Sequence, residues 1–264
     1  MQASGSLIFL FSITTQNTYS DDIATINALV PPLALMMKSG IAPLHFWSPD
    51  ISYSLTPFNL LIFITLQKII PLMILFASWS VMVKWVILIN IIVGSLGGIT
   101  QSSLNKIILF SSINNSGWMM MSLMQSFFMF LLFFSIYLSM NVTFMMFIQK
   151  YKMKWVSQIS FSSLEKKLSF LSIILSLSSL PPLLGFIPKW IILSKMFLMM
   201  PMTSFTSAIF SVFTMFFYVK LSINMIFSSS ISKKWNIHVK ILDNKFMIIS
   251  TINLLSSMLF FLLT

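Results

Sequence analysis

The sequence predicts an all-α, polytopic transmembrane helix bundle. Three observations carry that prediction. Of 264 residues, 57% are hydrophobic and only 8% are charged, against about 25% charged in a soluble domain. Mean hydropathy is +0.94. The apolar residues form about nine segments, most of them near the length a helix needs to cross a bilayer, and lysines gather in the loops between them.

The run Gln2–Thr15 comes first. No basic region precedes it, so it does not look like a signal peptide. It is short for a span and has the pattern of a helix tail whose front is missing. A polar loop with Asp21 and Asp22 leads to Ile26–Phe46, which carries Lys38 and is broken by Gly40 and Pro43. Pro57–Ser78 follows, with Lys68 near its middle, then Trp79–Ile99, Asn105–Met124 and Phe127–Gln149. A basic loop holds Lys150, Lys152, Lys154, Glu165, Lys166 and Lys167. Leu168–Met200 is too long for one straight span, and Pro181, Pro182, Gly185 and Pro188 break it in the middle. Ser204–Phe227, a second basic loop and Phe246–Thr264 complete the chain. By parity the turn before Lys106, the loop after Gln149 and the loop after Phe227 share one face. All three carry lysine, which places them on the matrix or cytoplasmic side. Residues 1–264 form a single membrane domain, and the two broken helices, each with a lysine beside its break, suggest an internal repeat.

Composition excludes much chemistry. All 16 basic residues are lysine, against five acids, but no polar face exists to gather them for nucleic acid. Cysteine is absent and there are two histidines, His45 and His238, so iron–sulfur, thiolate and metal sites are not expected. No glycine-rich nucleotide loop is present. The abundant Met and absent Arg fit an AT-rich organelle genome.

The chemistry that remains lies in amines held deep in apolar segments. A lysine at the bilayer centre costs roughly 3 kcal/mol on insertion scales. Lys38, Lys68 and Lys189 lie deepest, and a desolvated amine can accept and release protons near neutral pH. For these three, depth favours proton transfer over snorkelling. For Lys84, Lys195 and Lys220 snorkelling or local pairing is the simpler reading. Lys106 begins its segment, and both readings stand. His45 sits beside the first break, where it could relay protons or satisfy backbone groups freed by Pro43. Ser111, Ser112, Asn114, Asn115 and Ser116 would line a hydrated path or bond neighbouring helices. Gly94, Gly97 and Gly98 are expected at close helix contacts.

At these residues the chain resembles the chain 2 family of mitochondrial NADH:ubiquinone oxidoreductase, the antiporter-like membrane-arm subunits of respiratory complex I. The resemblance rests on Lys38-Ser39-Gly40-Ile41-Ala42-Pro43-Leu44-His45-Phe46-Trp47, Gln67-Lys68-Ile69-Ile70-Pro71, Gly94-Ser95-Leu96-Gly97-Gly98, Ser111-Ser112-Ile113 and Ser116-Gly117-Trp118-Met119. The most diagnostic stretch is Leu180-Pro181-Pro182-Leu183-Leu184-Gly185-Phe186-Ile187-Pro188-Lys189-Trp190. It implies an antiporter-like inverted-repeat fold in the mitochondrial inner membrane, without redox cofactors of its own. Lys38 and Lys189 match the lysines of the two broken helices, and Lys68 that of the helix following the first. In the family these lie on a hydrated axis whose charge changes are driven by quinone reduction elsewhere in the complex. Partners implied are neighbouring membrane-arm subunits and membrane lipids such as cardiolipin. Two departures stand out. The glutamate that pairs with the first lysine has no counterpart, since the chain begins after its place and about two helices are absent. Asn115 stands where many relatives have histidine.

The function expected is proton translocation coupled to NADH:ubiquinone electron transfer, as a non-redox subunit of that enzyme. A stand-alone cation/proton antiporter and a scaffold whose lysines bind anionic lipid are the alternatives. Ion flux from the isolated chain would favour the first, and assembly defects without pumping defects the second.

Overall fold

Every apolar segment within the described residues is helical. The structure, a computed structural model, describes residues 1–16, 24–158, 164–181 and 183–228. The segment 246–264, the second basic loop, Asp21, Asp22 and Pro182 lie outside them. The helices are α1 (Gln2–Gln16), α2 (Ala24–Ser39), α3 (Trp47–Ser54), α4 (Pro57–Ile64), α5 (Leu66–Ser78) and α6 (Ser80–Ile99). They continue as α7 (Leu104–Gln125), α8 (Phe127–Tyr151), α9 (Leu164–Leu177), α10 (Phe186–Met199) and α11 (Pro201–Ser228). Four stretches among the described residues are long and apolar enough to cross a membrane: Pro57–Ser78, Met82–Ile99, Phe127–Tyr151 and Pro201–Ile226.

Helix α7 is not among those four, because its sequence is too polar, yet it is the centre of the bundle. Helices α3, α4, α5, α6, α8 and α10 all pack on it, and it is buried from Ile107 to Leu123. A helix that never meets lipid has no need of an apolar exterior. Two apolar cores stack along it. The first gathers Leu104, Ile108 and Ile113 with residues of α4, α8, α9 and α11. The second gathers Trp118, Met120 and Leu123 with residues of α2, α5, α6, α8 and α10. The polar run Ser111–Ser116 lies chiefly where these cores meet.

Small residues allow this crowding. A Cβ on Gly94 would collide with the backbone of Asn114, and one on Gly97 or Gly98 with the rings of Phe110 or Phe217. All three are the close-packing sites the sequence suggested. At one end of the bundle Leu104 N–H donates to Lys154 O at 3.0 Å and Val156 N–H to Ser102 O at 3.1 Å. That pairing puts the turn after α6 and the loop after α8 on the same end, as parity requires.

Both breaks fall where the sequence places them, but Pro188 does not break the chain: it lies in the first turn of α10, where a missing N–H costs no helix bond. After α2, Gly40 adopts φ +63°, Gly40 N–H donates to Met37 O and Ile41 N–H to Met36 O. This is a Schellman ending, with glycine in the left-handed position it favours. After α9, Ser179 takes the same place at φ +62°, with Ser179 N–H donating to Ser176 O and Leu180 N–H to Leu175 O. Gly185 then passes so close to the Ser176 carbonyl that no side chain fits.

Pro57–Ser78 is a single stretch long and apolar enough to cross a membrane, as expected, and its helix is interrupted at Thr65, which separates α4 from α5. Thr65 Oγ1 donates to Leu61 O at 2.7 Å, a back-bond that bends helices. Six residues on, Pro71 cannot donate to the carbonyl of Gln67. The bend falls three residues before Lys68.

Candidate functional site

The two most buried amines both lie against α7. Lys68, on α5, is 2% exposed, and its Nζ donates to Ser112 Oγ at 2.9 Å. Ser112 in turn donates to Leu109 O at 2.7 Å, so its lone pairs are free to accept from the amine. Lys189, on α10, is 7% exposed and lies 5.5 Å from the ring centroid of Trp118, within cation–π range. The one acid whose side chain is described, Asp50, is exposed on α3. Among the described residues, neither lysine has a carboxylate partner.

Ser111, Ser112, Asn115 and Trp118 recur at helical spacing and share a broad face of α7. Asn115 and Lys189 border a small cavity with Tyr137, Met140, Ser179 and Pro188. Its volume is about 10 Å³, room for about one water molecule. Among the cavity-lining residues, Tyr137 has a buried hydroxyl without a direct partner, and elsewhere in the bundle Asn114 Oδ1, Trp118 Nε1 and Tyr218 Oη are likewise buried without one. The sequence reading missed the two tyrosines. The signal was available, since both stand inside apolar segments, where a hydroxyl needs a partner.

The remaining candidates separate. Lys38 lies in the last turn of α2 and, unlike Lys68 and Lys189, is exposed. Gly5 of α1 packs against its backbone. Lys106 is half-buried in the first turn of α7, about 9 Å of helix rise from Ser112. Lys84, Lys195 and Lys220 are exposed. His45 is buried; its Nδ1 lies 3.2 Å from Pro43 O, its ring stacks on Phe46 at 4.7 Å and meets Phe110 edge-on. These contacts are those of a residue that holds the first break.

Two further side chains hold that break. Trp47 Nε1 donates to Met37 O at 3.1 Å, and Asn90 Oδ1, fully buried on α6, accepts from Ala42 N–H at 2.7 Å. Leucine at position 90 would leave that N–H unpaired in an apolar setting, at a cost of about 1–3 kcal/mol. Asn90→Leu is therefore expected to lower the thermal midpoint of the detergent-solubilised protein. An unchanged midpoint would show that water replaces the side chain.

Comparison with known proteins places this geometry. A family profile described as NADH:quinone oxidoreductase/Mrp antiporter, transmembrane, matches residues 2–217. NADH-ubiquinone oxidoreductase chain 2 of Aedes aegypti is 32% identical over 84% of this chain and 67% of its own length. That of Anopheles gambiae is 32% identical over 89% of this chain and 71% of its own. Among solved structures, a chain of respiratory complex I from Thermus thermophilus, with bound Aureothin, superposes with a TM-score of 0.77 at 16% identity. That match covers 98% of this chain and 63% of the Thermus chain, so this sequence spans less than two thirds of its length. The chain belongs to the NADH:quinone oxidoreductase/Mrp antiporter transmembrane family and, within it, to the NADH-ubiquinone oxidoreductase chain 2 group.

Proposed function

We propose that this chain is a membrane-arm subunit of respiratory complex I in the mitochondrial inner membrane, where it passes protons between buried lysines as NADH is oxidised and ubiquinone reduced. The observation that carries the reading is the burial of two amines, Lys68 and Lys189, against the middle of α7, with no carboxylate beside them among the described residues. Burying a fixed charge without a counter-ion is costly, and proton exchange is a reason to keep such a group.

In this reading Lys68 and Lys189 exchange protons within the chain. Lys38, on the outer surface, exchanges them with a neighbouring membrane-arm subunit. Lys106 sets one end of the path, and His45 acts through the shape of the first break. The chain binds no redox cofactor; electron transfer belongs to other subunits. Residues 1–264 form one domain of the antiporter-like inverted-repeat type, with about nine spans.

The test is biochemical isolation from native membranes followed by reconstitution. This chain is expected to co-purify with an NADH-oxidising, ubiquinone-reducing assembly that acidifies one side of a liposome. The chain reconstituted alone should show no cation/proton exchange. Exchange by the isolated chain would overturn the reading in favour of a stand-alone antiporter.

A further inference from the structure

Between the two buried lysines stands a phenol to which the lysine pattern gives no role. Tyr137, on α8, is 2% exposed, and its hydroxyl makes no direct hydrogen bond. It lies beside Ser112, Asn141 and Tyr218, and Ser112 is the residue that accepts from Lys68 Nζ. The same side chain borders the one-water cavity shared by Asn115 and Lys189. Tyr137 thus adjoins the immediate surroundings of both amines. A buried hydroxyl without a partner is destabilising. Phenylalanine would fill the same space without that cost, so the oxygen calls for a role.

We propose that Tyr137 relays protons between Lys68 and Lys189, with Ser112 on one side and a single water on the other. A proton leaves Lys68 Nζ, and the Ser112 hydroxyl passes one to the phenol oxygen. The phenol releases its own proton to the water, and Lys189 Nζ takes one from that water. Lys68 ends one proton poorer and Lys189 one richer. Ser112, Tyr137 and the water each gain and lose one, and rotation of their O–H bonds resets the path. Asn115 cannot titrate, but its amide can both donate and accept, which suits it to orient the water. Tyr218 faces Tyr137 and Ser111 but does not border the Lys189 cavity, so it serves as the comparison. The inference rests on the proton-transfer reading of the lysines.

The test uses the complete complex in liposomes, with protons moved per NADH and turnover in H2O and D2O as readouts. Tyr137→Phe is expected to lower proton translocation about tenfold and to change the solvent isotope effect, with the amount of assembled complex unchanged. Tyr218→Phe should retain most of the activity. If Tyr137→Phe pumps like the parent while Lys68→Met and Lys189→Met do not, the relay is wrong and the lysines stand. If the lysine variants also pump normally, the underlying reading falls instead. Should Tyr137→Phe fail to assemble, 3-fluorotyrosine at position 137 keeps ring and hydroxyl but alters acidity. A shifted translocation rate would support the relay, and an unshifted rate would overturn it.

Discussion

Lys68→Met is expected to cut coupled proton translocation about 100-fold, in the range measured for losing a positioned acid–base group, while the complex assembles in normal amounts. Methionine is unbranched, nearly as long as lysine and adapts to irregular cores, so the packing among α4, α5 and α7 survives. What disappears is the amine that donates to Ser112 Oγ. Removing a desolvated amine also removes an energetic burden, because several kcal/mol are spent in taking an ion out of water. The thermal midpoint should therefore hold steady or rise as translocation falls. Opposite signs for stability and activity mark a group kept for function. Lys68→Arg sharpens the argument. Guanidinium retains a positive charge and can still reach Ser112, but it does not give up its proton. If charge alone mattered, the arginine variant would work; if proton exchange matters, it fails with the methionine variant. Translocation by both variants at the parent rate would remove Lys68 from the path.

Much of this arrangement was legible in the sequence, and the parts that were not have physical explanations. The breaks were visible because Gly40 and the prolines around Gly185 are local signals: each changes the backbone where it stands. The interruption at Thr65 was missed because threonine sits comfortably in a helix until its hydroxyl takes a carbonyl, and Pro71 lies far enough along to look like a lone irregularity. The depth of Lys68 and Lys189 followed from counting residues along a segment. Counting gives depth, though, and not direction. Lys38 lies as deep in its segment, yet faces outward, because the side of a helix that meets neighbours depends on which helices surround it. Tyr137 illustrates the same limit. Its position in an apolar run was plain, but its place between Ser112 and the Lys189 cavity depends on α8 crossing α7 and α10, a long-range relation no local pattern holds.

The second large effect concerns the contact that holds the polar layer in place. Gly94→Ala is expected to reduce the amount of this chain found in assembled complexes, with a cost of several kcal/mol if α6 and α7 keep their separation. By intrinsic helix propensity alone the substitution should stabilise α6 by about 1 kcal/mol, so a loss has to come from tertiary packing. The new methyl would meet the backbone nitrogen and Cα of Asn114, and backbone cannot rotate out of the way as a side chain can. Typical overpacking costs about 1–3 kcal/mol where neighbours can adjust; here the only adjustment is to push the helices apart. That motion would carry Ser112 away from Lys68 and open space beside Asn114, so any complex that still assembles should translocate poorly. Gly98→Ala provides the graded comparison. Its methyl would meet the edge of the Phe217 ring, which can tilt, and the expected loss is smaller. Assembly measured by native gel should rank parent first, Gly98→Ala next and Gly94→Ala last. Reversal of that order would mean that the α6–α7 contact is looser than the Gly94–Asn114 approach requires.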